Sequence, residues 1–338
     1  MQSQKVIRVF DCSNSEDSDS SSRCLTDNDV VSGLKKYASY HDVQFIVYPK
    51  DADVIFTNDI YPPYIFDECP STPRVKRMGG FYWQNHLKQM NIPLNEAAVL
   101  SDYVVFVSDF SLMSFFNLYG TVDDIGCRYT VIPNNVDDHI FYPKNPPLNK
   151  MFQFIAAASD WAKEEERFGD LLDFMMKMPH CHFKIIGKCD YEVPENAQKL
   201  GCIEDDRVKA DILRGANAFV NVSYKEAAPK AVCQAINCGL PVLYGDSGGV
   251  SEFVPEGMGI GVKDNIDISF DEHVMHLDVN EMVDKWQRYT FRYSSKSAWG
   301  DSKLIPSYFS TMARYSDIFR LVIDNRKHLD KLILSNGE

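Results

Sequence analysis

Short apolar runs with strand character alternate with helical patterns along most of the chain, and this alternation constrains the fold more than any other feature. Parallel strands need a crossover, usually a helix, so repeated alternation predicts parallel sheets that are covered by helices. The predicted strands are Val6–Phe10, Gln44–Tyr48, Val54–Thr57, Arg74–Met78, Tyr103–Val107, Tyr129–Ile132, Phe152–Ala157, His182–Gly187, Ala218–Val222 and Pro241–Tyr244. The predicted helices are Asn28–Tyr37, Leu94–Leu100, Phe110–Leu118, Glu164–Met178, Asp206–Arg214 and Lys230–Asn237. The fold class is therefore α/β.

A chain of 338 residues is long enough for two such domains. Three prolines fall within Phe141–Pro147, which predicts a stiff, extended linker. We therefore expect one doubly wound domain in residues 1–143 and a second in residues 144–305, facing each other across a cleft. Ligands of open α/β sheets bind beyond the carboxyl ends of the strands, so the cleft is the expected site.

The C-terminal segment, residues 306–338, has a different pattern. Apolar residues recur there at helical spacing, which predicts an amphipathic helix that docks on the rest of the protein. The residues that form the apolar stripe are Tyr308, Phe309, Met312, Tyr315, Phe319 and Val322, preceded by Ile305.

The charge balance excludes some classes of function. The chain has 35 basic and 48 acidic residues and a formal net charge of -13, which argues against a protein that binds nucleic acid through its phosphates. No apolar run approaches the length that spans a bilayer, and the N-terminus lacks the apolar region of a signal peptide. We expect a cytoplasmic protein without a transmembrane segment, although peripheral contact with a membrane stays open. The nine cysteines include no CxxC pair, so we predict no metal site.

The segment Asn221–Val242 carries the most chemistry. A strand pattern ends early in it, and Pro229 suits the first turn of the helix that follows. The N-terminus of that helix points towards the end of the strand, where its unpaired N–H groups can bind an anion beside Glu226. The polar face of the helix carries Lys230 and Gln234. A solvated loop glutamate and a solvated helix face are the alternative interpretation.

These residues resemble the donor-binding motif of retaining GT-B glycosyltransferases, in particular glycosyltransferase family 4 (group 1). That motif is E-x7-E followed by a small residue, Gly, any residue, Pro and Val. Glu226 matches the first acid and Cys238–Val242 the end of the motif, whereas Gln234 replaces the second acid. Further stretches that resemble the family are Asp102–Ser111, Val131–Pro143, Arg167–Leu172 and Asp246–Glu252.

The resemblance implies a GT-B fold, with two Rossmann-like domains and a C-terminal helix that crosses back to the first domain. It implies that a sugar moves from a nucleotide diphosphate-sugar to a glycan or glycoconjugate, with retention at the anomeric carbon and without a metal or other cofactor. Glu226 would be the catalytic residue that holds the sugar hydroxyls, and Gln234 would contact the ribose. The residues expected to bind the donor are Arg167, Lys188, Ala228, Pro229, Lys230, Gln234, Gly248 and Gly249.

The acceptor side is predicted from a break in the first half of the chain. Gly79 and Gly80 follow a predicted strand and precede a run of aromatic residues that includes Tyr82, with His86 shortly after. Aromatic faces suit sugars, so these four residues are candidates for acceptor binding. A buried aromatic cluster is the alternative interpretation, because large aromatic side chains mostly lie in the core.

Three other functions stay open at this point. Gln234 favours a nucleotide-sugar-binding protein with weakened or lost catalysis, because an amide lacks the charge of the family's second acid. A sugar-nucleotide epimerase of the same fold is a second alternative. Asp17-Ser18-Asp19 forms a DxD sequence that could hold Mn²⁺ or Mg²⁺ in a transferase of another architecture, although a polar loop is the simpler interpretation.

Overall fold

The structure is a computed structural model that describes residues 5–13, 28–120, 127–144, 151–270, 273–292 and 305–335. For residues 28, 29, 290–292 and 329–335 it describes the backbone only. The Asp17-Ser18-Asp19 sequence and the end of the proline-rich segment, residues 145–147, lie outside these ranges.

The first half of the chain forms a six-stranded parallel sheet. Its strands are β1 (Ile7–Asp11), β2 (Val43–Ile46), β3 (Val54–Thr57), β4 (Arg74–Met78), β5 (Tyr103–Phe106) and β6 (Arg128–Val131). They are ordered β2-β1-β3-β4-β5-β6. The helices of this half are α1 (Asn28–Tyr37), α2 (Tyr64–Glu68), α3 (Asn91–Val99) and α4 (Asp109–Tyr119). Every residue of β3 and β5 is buried, as expected for strands covered on both faces.

The second half forms another six-stranded parallel sheet. Its strands are β7 (Phe152–Asp160), β8 (Cys181–Lys188), β9 (Ala197–Gly201), β10 (Ala218–Asn221), β11 (Val242–Asp246) and β12 (Gly259–Lys263). The helices are α5 (Phe168–Lys177), α6 (Asp206–Arg214), α7 (Lys230–Asn237), α8 (Val250–Phe253) and α9 (Val279–Arg292). The order β12-β11-β10-β7-β8-β9 places the first strand of this half beside its fourth, as in a dinucleotide-binding Rossmann fold. The predicted α/β class with two doubly wound parallel sheets is confirmed.

The last helix, α10 (Tyr308–Ser335), packs on the first sheet although it follows the second. Its predicted apolar stripe joins a buried cluster that includes Val9 and Phe56, except for Phe309, which is exposed. The contact with α1 is close, because a Cβ atom added to Gly33 would lie 2.3 Å from the ring of Tyr308. Hydrogen bonds extend the contact, since Arg314 donates to the carbonyl of Val131 (2.7 Å).

Two strands, three α-helices and three short 3-10 helices in the described residues were absent from the sequence prediction. The missed strands, β9 and β12, are the outer strands of the second sheet. The missed α-helices are α2, α8 and α9, and the missed 3-10 helices are Ala38–His41, Pro49–Asp51 and Asn85–Met90. Within the ranges that the structure describes, no helix is long and apolar enough to cross a membrane.

Candidate functional site

The topology of the second sheet selects one place for a ligand. The strand order reverses between β7 and β10, which are parallel neighbours in the sheet but are followed by crossovers to opposite sides. The loops after these two strands therefore diverge and leave a crevice at the carboxyl edge of the sheet. The loop after β10 approaches the first half here, because a Cβ atom on Gly80 would lie 3.4 Å from that of Ala227.

A cavity of about 250 Å³ lies at this crevice. The first half contributes Arg77, Gly79, Gly80, Phe81, Tyr82, Trp83, Gln84, Val107 and Asn134 to its walls. The second half contributes Glu165, Glu166, Ser223, Tyr224, Lys225, Glu226, Ala227 and Ala228. Both halves of the chain thus build the site, and it combines acidic, basic and aromatic side chains.

The loop after β10 is fixed from both sides at Lys225. Its backbone has a φ of 48°, a left-handed conformation that is uncommon for a residue other than glycine. Trp83 from the first half donates its indole N–H to the Lys225 carbonyl (3.2 Å), and the ammonium lies 5.0 Å from the Trp83 ring centroid. The same ammonium donates to the carbonyl of Ser269 (3.1 Å). These contacts hold the adjacent Glu226 at the cavity wall.

The two predicted glycines of the donor loop pack against the backbone next to Glu226. The Gly249 N–H donates to the Glu226 carbonyl (2.9 Å). A Cβ atom on Gly249 would lie 2.1 Å from the Ala227 carbonyl oxygen, and one on Gly248 2.5 Å from that of Glu226. Gly248 also has a φ of 71°. Glycine is therefore required at both positions, because the two backbone segments approach each other so closely. Neither Gly248 nor Gly249 lines the cavity.

Helix α7 starts one residue later than its proline. Pro229 is the N-cap residue, and Lys230 and Gln234 are buried within the helix, with Gln234 only 1% exposed. Ala228 lines the cavity, and its carbonyl accepts a hydrogen bond from Asn134 of the first half (2.8 Å). The structure thus brings Glu226 and Ala228 to the cavity but places Pro229, Lys230 and Gln234 behind its wall.

The two predicted phosphate-binding cations are paired with carboxylates. Arg167 is buried and forms a bidentate ion pair with Asp264, with N···O distances of 2.7 and 2.8 Å. Its guanidinium also lies 4.4 Å from the Tyr224 ring centroid. Lys188, which is half-exposed, lies 3.1 Å from Asp160. Neither cation lines the cavity, and their contact with a donor remains a prediction.

The turn after β7 places two carboxyl groups in the cavity that the sequence interpretation did not include. Glu165 accepts a hydrogen bond from Gln84 of the first half (3.1 Å). Glu166 accepts one from the Ser223 hydroxyl (2.8 Å). The pKa of Glu166 is raised from 4.5 to about 7, mainly by burial and also by the neighbouring Glu165, against the opposing effect of the Ser223 hydrogen bond.

Three of the four acceptor candidates line the cavity, namely Gly79, Gly80 and Tyr82. The backbone of Tyr82 is held by the buried Asn91, whose side chain makes two hydrogen bonds of 2.9 Å to it. His86 is exposed and lies outside the cavity wall. The neighbouring Phe81 and Trp83 are buried in a hydrophobic cluster and also line the cavity, so part of the aromatic run belongs to the core.

No protein-family model and no curated protein matches the sequence. Solved structures do match. HepE from Anabaena, in complex with UDP, is 13% identical with a TM-score of 0.59, over 98% of this chain and 100% of HepE. The chain has the GT-B fold. Sucrose-phosphate synthase from Thermosynechococcus elongatus is 14% identical with a TM-score of 0.56, over 91% of this chain and 79% of the synthase.

A chain of the GtfA/B complex is 15% identical with a TM-score of 0.58, over 81% of this chain. The chain spans 58% of the length of that relative. The GT-B fold accounts for the position of the cavity, because its two Rossmann-like sheets face each other there.

Proposed function

We propose that this protein is a retaining glycosyltransferase, of the family 4 (group 1) type, that acts without a metal ion. It transfers a sugar from a nucleotide diphosphate-sugar to a glycan or glycoconjugate acceptor. The observation that carries the proposal is the position of Glu226, on the wall of a cavity between two Rossmann-like halves and just before the N-terminus of α7. HepE, which has this fold, binds UDP and UDP-glucose.

The arrangement suits the loss of a diphosphate leaving group. Negative charge develops on that group, and preorganised N–H groups and cations stabilise it best. The N-terminus of α7 supplies N–H groups, and Lys225 supplies a positive charge at the cavity wall. Glu226 would bind sugar hydroxyls and orient the ring. Gly79, Gly80 and Tyr82 on the opposite wall would face the acceptor.

Donor hydrolysis tests the proposal. The protein is incubated with UDP-glucose, GDP-mannose and ADP-glucose, with and without EDTA, and release of nucleoside diphosphate is measured. We expect turnover of one donor that EDTA does not reduce, α-configured sugar product by NMR, and a loss of about two orders of magnitude or more in E226Q. The control variant E256Q changes an exposed glutamate outside the cavity. Turnover that E226Q retains, or that EDTA abolishes, would contradict the assignment.

A nucleotide-sugar-binding protein without catalysis is the second candidate. Two observations favour it: Gln234 is a buried neutral amide, and the Arg167 charge is already paired with Asp264. If this candidate is correct, calorimetry shows tight binding of a donor that the protein does not consume. A sugar-nucleotide epimerase would instead convert the donor to a second nucleotide-sugar, which chromatography of the products detects.

A further inference from the structure

Glu166 lies in a turn between two side chains that are both engaged. Glu165 is bound by Gln84, and Arg167 is bound by Asp264. The turn therefore has anchors before and after Glu166, one to the first half of the chain and one within the second. Glu166 is held at a fixed place in the cavity wall as a consequence.

The Glu166 carboxyl has one oxygen bound and one available. The Ser223 hydroxyl donates to Oε2 (2.8 Å), whereas Oε1 makes no hydrogen bond within the part of the chain that the structure describes. Glu166 and Glu226 line the same cavity of about 250 Å³. With Glu165, which is bound by Gln84, three carboxyl groups line a space large enough for one sugar ring.

Charged and titratable groups from three segments of the chain lie near Glu166 or line the same cavity. Those near it on its own segment are Asp160, Lys163 and Glu165. The others line the cavity with it, Arg77 and Tyr82 from β4 and the loop after it, and Tyr224, Lys225 and Glu226 from the loop after β10. Burial and the Glu165 charge raise the pKa of Glu166, and the Ser223 hydrogen bond and Lys163 partly offset this rise. The resulting pKa is about 7. Near neutral pH, a large fraction of this carboxyl is therefore protonated and can donate a hydrogen bond.

We propose that Glu166, positioned by Ser223, is a second carboxyl that binds a hydroxyl group of the donor sugar beside Glu226. This inference rests on the proposed function, since it requires a nucleotide-sugar in the cavity. In its neutral form Glu166 donates a hydrogen bond to a sugar oxygen, which an ionised carboxylate is unable to do. The ionised form instead accepts a hydrogen bond from a sugar hydroxyl. Recognition of the sugar therefore changes as pH rises through neutrality, while recognition of the nucleotide does not depend on this residue.

Calorimetric titration of UDP and UDP-glucose into the full-length protein tests this, at pH 6 and pH 8. The measured quantity is the ratio of the Kd for UDP to the Kd for UDP-glucose. We expect E166A to reduce this ratio about fivefold at pH 6, the effect of one lost hydrogen bond. E166Q has an amide that can donate a hydrogen bond at both pH values. Any pH dependence of the ratio in E166Q therefore comes from protonation of UDP itself, and this variant serves as the reference. Relative to E166Q, the wild-type ratio changes between pH 6 and pH 8, because the Glu166 carboxyl changes from a hydrogen-bond donor to an acceptor.

Two variants serve as controls. E164Q removes the same charge from an exposed side chain outside the cavity and leaves the ratio unchanged. S223A frees the Glu166 carboxyl and lowers the ratio without changing the Kd for UDP. If E166A has the same ratio as wild type and E164Q, this inference is overturned, whereas the proposal that the cavity binds a nucleotide-sugar is not. A wild-type ratio of one also overturns it. If neither UDP-glucose nor GDP-mannose nor ADP-glucose binds, the proposed function is overturned together with this inference.

Discussion

Arg167 and Asp264 form a buried, bidentate ion pair, with Nη1 2.7 Å from Oδ2 and Nη2 2.8 Å from Oδ1. Both side chains are almost fully excluded from solvent, at 0% and 1% exposure. A diphosphate that reached Arg167 would meet a guanidinium whose two Nη atoms already bind a carboxylate. The pair instead joins the turn after β7 to the segment after β12, and so holds the acidic turn against the cavity.

Replacement of Asp264 by asparagine is expected to destabilise the protein by about 3 kcal/mol. The amide keeps the size of the carboxylate but leaves the buried guanidinium without a compensating charge. Urea denaturation followed by circular dichroism measures the change. The control D173N breaks the exposed pair with Lys177 and should cost less than about 0.5 kcal/mol. Equal effects of the two variants would show that the buried pair contributes no more than a surface one.

Substitution of Gly249 by alanine is expected to damage the site more than the fold. The new Cβ atom would lie 2.1 Å from the Ala227 carbonyl, so the loop that carries Glu226 must shift. We expect a loss of donor binding of tenfold or more, because about an ångström of misplacement is costly in a preorganised site. Thermal shift with a panel of nucleotide-sugars measures it.

Gly169 provides the matched control for this substitution. It lies in α5, and a Cβ atom there would meet nothing within 4 Å. G169A should therefore be neutral or stabilise the protein by about 0.5 to 1 kcal/mol, because alanine favours a helix over glycine. Unchanged donor binding in G249A would contradict the role of the glycine in shaping the site.

The fold was largely predictable because its signals are local. Buried strands such as β3 and β10 are continuous apolar runs, and the helices between them follow a regular spacing. The missed strands lack this signal. Ala197–Gly201 is a partly exposed outer strand with polar residues, and Gly259–Lys263 contains two glycines, which are depleted in strands.

The site was predictable only where a motif is continuous in sequence. Glu226 and Ala228 reach the cavity because the strand, loop and helix around them fix their place. The pairing of Arg167 with Asp264 joins residues 97 positions apart, which no local pattern reports. The role of Glu166 depends likewise on burial by the folded protein. Its only sequence signal was a run of three glutamates at the start of a predicted helix.

Glu252, three residues after Gly249, connects the two halves of the chain. Its carboxylate accepts hydrogen bonds of 2.7 Å from the N–H groups of both Asp109 and Phe110, in the first turn of α4. A negative charge at a helix N-terminus stabilises the helix. We therefore expect E252A to lower the free energy of unfolding by about 1 kcal/mol, and E252Q to lower it less. Melting temperatures at low salt measure this, with the exposed Glu256 as the control site. Equal melting temperatures of E252A and E256A would exclude a contribution from this contact.

The pH dependence of stability should change in E166Q. The pKa of Glu166 is about 7 in the folded protein, above its ordinary value of 4.5. Between these values the folded protein binds more protons than the unfolded chain, so the free energy of unfolding falls as pH rises from about 4.5 to about 7. Above that range the free energy of unfolding no longer falls on account of Glu166. Glutamine does not titrate, so E166Q should gain on the order of 2 to 3 kcal/mol over wild type between pH 4 and pH 8. Urea denaturation at both pH values measures the difference between E166Q and wild type. A difference that stays constant between pH 4 and pH 8 would contradict a buried carboxyl with a raised pKa at this position.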